Sequence, residues 1–168
     1  FHDGKAVRFQ EDQVRPMGRP ARGVIGMRLD KGDYLVAAEV VGPGSEILTI
    51  SEHGYGKRTP LEEYRETSRG TKGVINMKVT KRTGYVESVL SLREGEEPDL
   101  LIITRDGKLI RIDSSEARKI GRSTQGVRLV RMDDGDTVAG ASIVREEEEE
   151  DQNGGSEGTP PQSTLPLQ

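Results

Sequence analysis

Arg69–Val79 reads RGTKGVINMKV, and near-copies stand at Arg19–Leu29, RPARGVIGMRL, and at Arg122–Met132, RSTQGVRLVRM. Anchored on Gly23, Gly73 and Gly126, the copies lie 50 and 53 residues apart. Nineteen residues upstream of each anchor is another glycine, Gly4, Gly54 and Gly107, and a third closes each copy, Gly32, Gly84 and Gly135. The constant upstream spacing aligns three units without gaps, and self-similarity at a nearly fixed period is the signature of a repeat architecture.

Each unit reads as short strands. In the second, Glu46–Ser51 (EILTIS) is rich in β-formers and ends at EHGYG, a turn whose glycines supply positive φ. Strand two is expected over Lys57–Tyr64, with Pro60 favouring an edge or a bulge. A polar link, Arg65–Lys72, leads to strand three at Val74–Val79, and Gly84 turns the chain into strand four, Tyr85–Leu92. The third unit repeats this as Leu100–Thr104, Lys108–Asp113, Val127–Met132 and Thr137–Val144, while the first lacks its first strand. Only TPLEEYRE and SSEARK suggest helical turns, because short β-branched runs bounded by glycine dominate. The expected fold class is all-β: propeller-like blades of four antiparallel strands in an incomplete ring, with units at about 1–41, 46–92 and 99–144. One such unit cannot bury its own faces, so its neighbours supply the core. That explains how a hydrophobic fraction of only 32% suffices.

The chain has no cysteine, which excludes disulfides and thiolate metal sites and fits a reducing compartment. No stretch is apolar enough to span a membrane and no leader pattern opens the sequence. Beginning at Phe1 in mid-pattern, it reads as a piece of a longer polypeptide. The net charge of −4 conceals a split. Residues 146–168 carry seven acids and no Lys or Arg, leaving 25 basic against 22 acidic residues, or +3, on 1–145. By composition this tail, EEEEEDQNGGSEGTPPQSTLPLQ, is expected to be disordered. Six consecutive acids beside the last unit suggest a competitor for phosphates at Arg128 or Arg131, so deleting them should tighten polyanion binding at low salt.

Four aligned columns are basic in all three units: Arg8/Arg58/Arg111, Arg15/Arg65/Arg118, Arg19/Arg69/Arg122 and Arg28/Lys78/Arg131. Arg22/Lys72/Gln125 is basic twice. With 25 basic residues in 168, chance predicts ~0.1 threefold columns over the aligned stretch, so four mark a true repeat. In strand three, period-two alternation sets Ile75, Met77 and Val79 on one face and Val74, Asn76 and Lys78 on the other. Arg128 breaks the matching apolar triplet of the third unit. Equivalent blades would present the basic columns as a curved row, which suits the regular phosphates of duplex DNA. Arginine forks match phosphate oxygens, and amides near Gly73 would add contacts where glycine permits close approach. Following the row would bend the duplex. No recognition helix or zinc finger is visible, so sequence-independent binding is expected.

These residues resemble the C-terminal DNA-wrapping domain of bacterial DNA gyrase A. HGYGKRTPLEEY (His53–Tyr64), RGTKGVINMKV, GRSTQGVRLVRM (Gly121–Met132) and the acidic tail follow that family's last blades in order. The resemblance implies a β-pinwheel, a propeller relative with strands exchanged between blades, of which 1–145 would be the last three, the first cut. It implies non-sequence-specific wrapping of double-stranded DNA, in support of ATP-dependent negative supercoiling. Carried over by position, Arg8, Arg19, Arg22, Arg28, Arg58, Arg69, Lys72, Lys78, Arg111, Arg122 and Arg131 would line the DNA surface. The implied partners are the rest of gyrase A, together with gyrase B, in an A2B2 holoenzyme in the bacterial cytoplasm, without membrane. ATP and magnesium would bind elsewhere, and this stretch would carry no catalytic residue and no cofactor. The family's Gln-Arg-Arg-Gly-Gly-type signature is absent, and RGTKG is only a degenerate relative of it.

The corresponding protein of topoisomerase IV has a related, more degenerate C-terminal domain; the regular repeats and acidic tail favour gyrase. A propeller-like protein-interaction module is the alternative from another class, and salt dependence separates it from DNA binding. His2 and His53 are too few for a zinc site. Tyr34, Tyr55, Tyr64 and Tyr85 read as packing residues, and GPGS at Gly42–Ser45 lacks the ending of a P-loop.

Overall fold

The computed structural model describes residues 1–145; the acidic tail and the competition suggested for it lie outside the described residues. Nine strands follow in chain order: β1 (Lys5–Ala6), β2 (Glu46–Ser51), β3 (Tyr55–Pro60), β4 (Val74–Ile75), β5 (Val86–Leu92), β6 (Asp99–Thr104), β7 (Leu109–Asp113), β8 (Val127–Arg128) and β9 (Val138–Val144). No α-helix occurs among the described residues, and no helix there is long and apolar enough to cross a membrane.

The strands form three antiparallel sheets in the orders β1-β4, β5-β2-β3-β8 and β7-β6-β9. Strands one, two and four of a unit pair with each other, as in β5-β2-β3, whereas strand three leaves to join the preceding unit. Thus β8 of the third unit pairs with β3 of the second, Tyr55 opposite Arg128 and Gly56 opposite Val127. In the same register β4 of the second unit pairs with β1 of the first, Lys5 opposite Ile75 and Ala6 opposite Val74. This exchange is the pinwheel arrangement.

The exchange corrects three sequence expectations. Strand three is two residues long rather than six, because Gly4 O accepts from both Asn76 N (2.8 Å) and Met77 N (3.0 Å). That double acceptance ends the ladder and breaks the alternation, so Asn76 and Met77 are both buried while Ile75 is exposed. Strand two spans Tyr55–Pro60, and Leu61–Glu63 forms a 3-10 turn. The same turn recurs at Ser114–Glu116 and at Glu11–Gln13, the last without a local sequence signal although the repeat spacing points to it. In the first unit only β1 forms. Its fourth segment lacks the first strand it would pair with, and its third meets the second unit through the isolated Met27–Thr71 bridge and a few hydrogen bonds, among them Arg28 N to Thr71 O (2.9 Å) and Gly70 N to Gly26 O (2.6 Å), without forming a strand.

The core lies between units. Leu48, Ile50 and Leu92 of the second unit pack with Leu100, Ile102, Ala117, Leu129, Val130 and Val138 of the third. Full burial of a Leu, Ile or Val contributes about 1.5–3 kcal/mol, and most of these side chains are fully covered. Tyr55, Met77 and Val86 gather Val36 from the first unit.

A polar seam joins the units as well. Lys57 is fully buried, its ammonium donating to Asn76 O (2.6 Å), Gly121 O (2.8 Å) and Arg122 O. Asn76 Nδ2 donates to Thr49 Oγ1 at 2.9 Å, and Tyr64 O–H donates to Asn76 Oδ1. Burial brings the Lys57 ammonium down to about 8, assisted by the Arg122 charge and opposed by Glu63. Burial also pushes the Tyr64 phenol up to about 12.

Candidate nucleic-acid interface

The basic columns divide by what each head group touches. β3 places Arg58 at the seam, and the segment following β1, bridged to the second unit at Glu66, places Arg8 there. Arg8 Nη1 donates to Leu61 O and Tyr64 O, both at 3.1 Å, and Arg58 Nε donates to Ala117 O at 2.9 Å. Each thus caps the 3-10 turn of the following unit. Arg58 is enclosed further by Glu46 at 3.6 Å and Glu97 at 3.8 Å. Arg111, the third of the column, ion-pairs with Asp99 instead.

Arg69 and Arg122 reach back. Arg69 Nη1 donates to Ile25 O (3.0 Å) and Arg122 Nη1 to Ile75 O (2.7 Å), which are equivalent carbonyls of the preceding units. Arg69 Nε also donates to Gln13 O at 3.0 Å, and the Arg122 guanidinium lies 5.9 Å over the Tyr64 ring. Arg28 Nε donates to Gly70 O at 3.0 Å. Lys72 shares Asp30 with Lys5, each ammonium 2.5 Å from the carboxylate, and the two hold the Asp30 carboxyl down at about 2.

The glycine beside this cluster faces protein. Gly73, at φ +76°, brings its α-carbon so close to Ala6 that a Cβ would stand 2.2 Å from Ala6 O. The close approach expected for a ligand is therefore made by the neighbouring unit's backbone. Gly126 against Gly56 O, 2.6 Å from such a Cβ, repeats it at the next junction. Positive φ explains these glycines only in part; the crossing of two chains requires the rest.

Arg15, Arg65 and Arg118 are exposed at one repeated place, with no ion pair or side-chain hydrogen bond among the described residues. They follow the three 3-10 turns directly. The segment carrying Arg65 is pinned to the preceding unit by Thr67 N donating to Arg8 O (2.9 Å). Its counterpart carrying Arg118 is pinned by Ile120 N to Arg58 O (2.9 Å) and Arg58 N to Arg118 O (3.0 Å). Rigid backbone thus presents free guanidinium groups. Lys78 and Arg131 are likewise exposed and unpaired, as are Arg19 and Arg22, among the described residues. The repeat spacing reveals the Arg15 column, but only the fold distinguishes it from columns whose charge is spent at the seam. Two further arginines, Arg82 and Arg128, converge on Tyr55 and belong to no basic column.

The carboxylates near the histidines have a backbone task. Asp33 Oδ1 accepts from Asp3 N (3.1 Å) and Tyr34 N (2.9 Å), as Asp136 Oδ1 accepts from Asp106 N (3.1 Å) and Thr137 N (2.8 Å). Although His2, Asp3 and Asp33 stand close together, the repeated pattern marks Asp33 as a turn cap. His2 stacks between Tyr34 and Tyr85 at centroid distances of 4.4 and 4.1 Å.

Comparison with known proteins places this architecture. A family model described as the DNA gyrase C-terminal domain, a beta-propeller, matches residues 2–42, 45–93 and 98–145. The DNA gyrase A protein of Aminobacterium colombiense is 45% identical over 144 residues, covering 86% of this chain and 17% of that protein. Its Pseudomonas aeruginosa counterpart is 43% identical over 143 residues, covering 85% and 15%. The chain therefore spans only a small part of these curated relatives. A solved DNA gyrase A C-terminal domain superposes with a TM-score of 0.77 at 28% identity, covering 84% of this chain and 48% of that one. The C-terminal domain of DNA topoisomerase IV shares the fold, with a TM-score of 0.77 at 23% identity over 85% of this chain and 44% of that one.

Proposed function

Because this chain belongs to the DNA gyrase C-terminal domain family, we propose that it binds double-stranded DNA without sequence preference and wraps it along its basic rim. The observation that carries this reading is the set Arg15, Arg65, Arg118: one arginine per unit at one repeated place, exposed and unpaired among the described residues, with the segments of Arg65 and Arg118 fastened to the preceding unit. Lys78, Arg131, Arg19 and Arg22, also exposed, are assigned to the same surface. Arg28, Arg69, Arg122 and Lys72 would contribute with part of their donor capacity spent, whereas Arg8 and Arg58 serve chiefly to lock the units. Arg111 would contribute less, its charge being paired with Asp99.

Each phosphate neutralised releases condensed counterions, so affinity is driven by cation number and falls steeply with salt. A curved row favours a bent duplex, whose elastic cost is offset by the added contacts. In the larger enzyme, such a wrap would supply the handedness that lets ATP-driven strand passage introduce negative supercoils. The rest of gyrase A, together with gyrase B, would be its partners in an A2B2 assembly, in the bacterial cytoplasm on the chromosome. ATP, magnesium and the catalytic groups would be held outside this stretch.

The test is fluorescence anisotropy of the 168-residue chain with a mixed-sequence duplex across a potassium chloride series. Replacing Arg15, Arg65 and Arg118 together by Gln should lower the slope of log affinity against log salt by about 0.9 for each phosphate no longer neutralised. Equal affinity for unrelated sequences is expected. A slope unaltered by the triple substitution would overturn the assignment of this row, and absence of salt-dependent binding would overturn DNA binding itself.

A further inference from the structure

The first and third units share one lysine–aspartate ion pair at the head of strand two. Lys5 pairs with Asp30 in the first unit and Lys108 with Asp133 in the third. The second unit departs at both positions, with Tyr55 for the lysine and Thr80 for the aspartate. Its following turn is also one residue longer. Tyr34, Tyr85 and Thr137 occupy equivalent places, their carbonyls accepting from His2, Glu52 and Arg105. They lie 11, 12 and 11 residues after Gly23, Gly73 and Gly126. The lengthened turn carries Arg82, whose Nε donates to Tyr55 Oη at 2.9 Å. From the third unit Arg128 donates to the same oxygen through Nη2 at 2.8 Å and Nε at 3.2 Å. The two guanidinium carbons stand 5.0 and 5.4 Å from the centre of the Tyr55 ring.

Stacking on Tyr55 accounts for one arginine but not for two. A second like charge at the same oxygen is repelled, and a phenol cannot neutralise either. Neither Arg82 nor Arg128 meets a carboxylate within ion-pair distance among the described residues, and both are exposed. The phenol oxygen receives three N–H groups, while its own proton has no acceptor among the described residues. The result is a site with two positive charges, unspent donors on both forks and no carboxylate partner among the described residues, where each sister unit sets an aspartate against its lysine.

We propose that Arg82 and Arg128, backed by the Tyr55 hydroxyl, form a clamp for one phosphodiester group of duplex DNA at the junction of the second and third units. The proposal rests on the DNA-binding reading above and deepens it. Two forks converging on one point suit a tetrahedral phosphate, each engaging separate oxygens, and the phenol proton supplies a further donor. Tyr55, buried at 2% exposure, fixes the site in depth. The arginines hold the Tyr55 phenol below its ordinary value, Arg82 first and Arg128 second, so a bound phosphate that draws them off should let it rise.

The experiment combines binding with a local probe on the full chain. The Arg82→Gln/Arg128→Gln variant and the single Arg82→Gln variant, altered only on an exposed turn, are titrated with a mixed-sequence duplex over a salt series. In parallel, the 13Cζ shift of Tyr55 is followed against pH with and without duplex. The clamp requires the salt slope of the double variant to fall by about 1, a smaller fall in the single variant, and an upward move of the Tyr55 titration when DNA binds. Normal wild-type binding with an unaltered slope in both variants and an unmoved Tyr55 overturns the clamp and leaves the wider reading standing. If the double variant does not fold, the single variant and the Tyr55 titration decide. No binding by the wild-type chain overturns both.

Discussion

Replacing Gly73 by alanine should cost far more than the same change at Gly23, although the two positions are equivalent in the repeat and share φ, +76° and +79°. The left-handed conformation penalises an L residue by about 1–2 kcal/mol, partly offset by about 0.4–1 kcal/mol from the stiffer unfolded chain. That difference, about 0–1.6 kcal/mol, is all that Gly23→Ala should lose, because a Cβ there meets nothing within 4 Å. At Gly73 the added carbon would stand 2.2 Å from Ala6 O and 2.8 Å from both Ala6 C and Val7 Cγ2. Backbone cannot yield as a side-chain tip does, so β1 and β4 must separate, at an overpacking cost of about 1–3 kcal/mol. The expected loss is about 1–5 kcal/mol, a large part of a typical domain's 5–15 kcal/mol. Urea denaturation of the two variants measures the difference, and amide exchange at Asn76 and Met77, whose N–H groups are bound to Gly4 O, localises it. Equal losses, or unaltered protection of those amides in Gly73→Ala, would refute the argument that chain crossing dictates the glycine.

Lys57 makes stability depend on pH in an unusual sense. Its folded value of about 8 lies below the unfolded 10.5, so between them the unfolded chain holds the extra proton and stability rises with pH. From pH 7.5 to 9.5 the gain should approach about 2 kcal/mol in denaturant titrations and vanish in Lys57→Met; a wild-type curve that falls over this window contradicts the assignment. Above pH 10 the trend should reverse, since the Tyr64 phenol, held up to about 12 when folded, ionises first in the unfolded chain. Asp30→Asn should strengthen duplex binding at low salt and steepen its salt slope, because Lys5 and Lys72 lose their shared counter-charge; unchanged binding would show that these ammonium groups do not face DNA. Carboxylate NMR should place the Asp30 titration near 2, so its contribution to stability persists below pH 3.8 and is lost only as pH falls toward 2. Arg58→Ala should destabilise by about 2–3 kcal/mol, because Ala117 O and the buried Glu46 lose a partner. Arg65→Ala should stay within about 0.5 kcal/mol in thermal melts while weakening DNA binding, and the reverse ranking would exchange the roles given to the two columns.

The three spaced glycines, the β-rich runs between them and the repeated basic columns are legible because all are periodic along the chain. They lead to an all-β repeat whose units complete one another, and to a positive rim. Alternation alone draws strand three too long, since it continues past Ile75, where Gly4 O captures two successive amides and ends the ladder. Glu11–Gln13 carries the same turn as Leu61–Glu63, yet without TPLEEY-like residues its composition holds no local signal. Lys57 has no basic counterpart in its sister units, Val7 and Ile110, so no column singles it out.

What the sequence by itself determined is the repeat, the strand-rich class and the positions where positive charge recurs, since these depend on residue type and spacing alone. Tertiary structure decided which of those charges remain free. Arg8 and Arg58 meet carbonyls 53 to 59 residues further along the chain, and Arg69 and Arg122 meet carbonyls 44 and 47 residues back. Arg15, Arg65 and Arg118 meet none among the described residues. The physical reason is that a guanidinium is satisfied by whatever acceptor folding brings within about 3 Å, and strand exchange between units sets that neighbourhood in space.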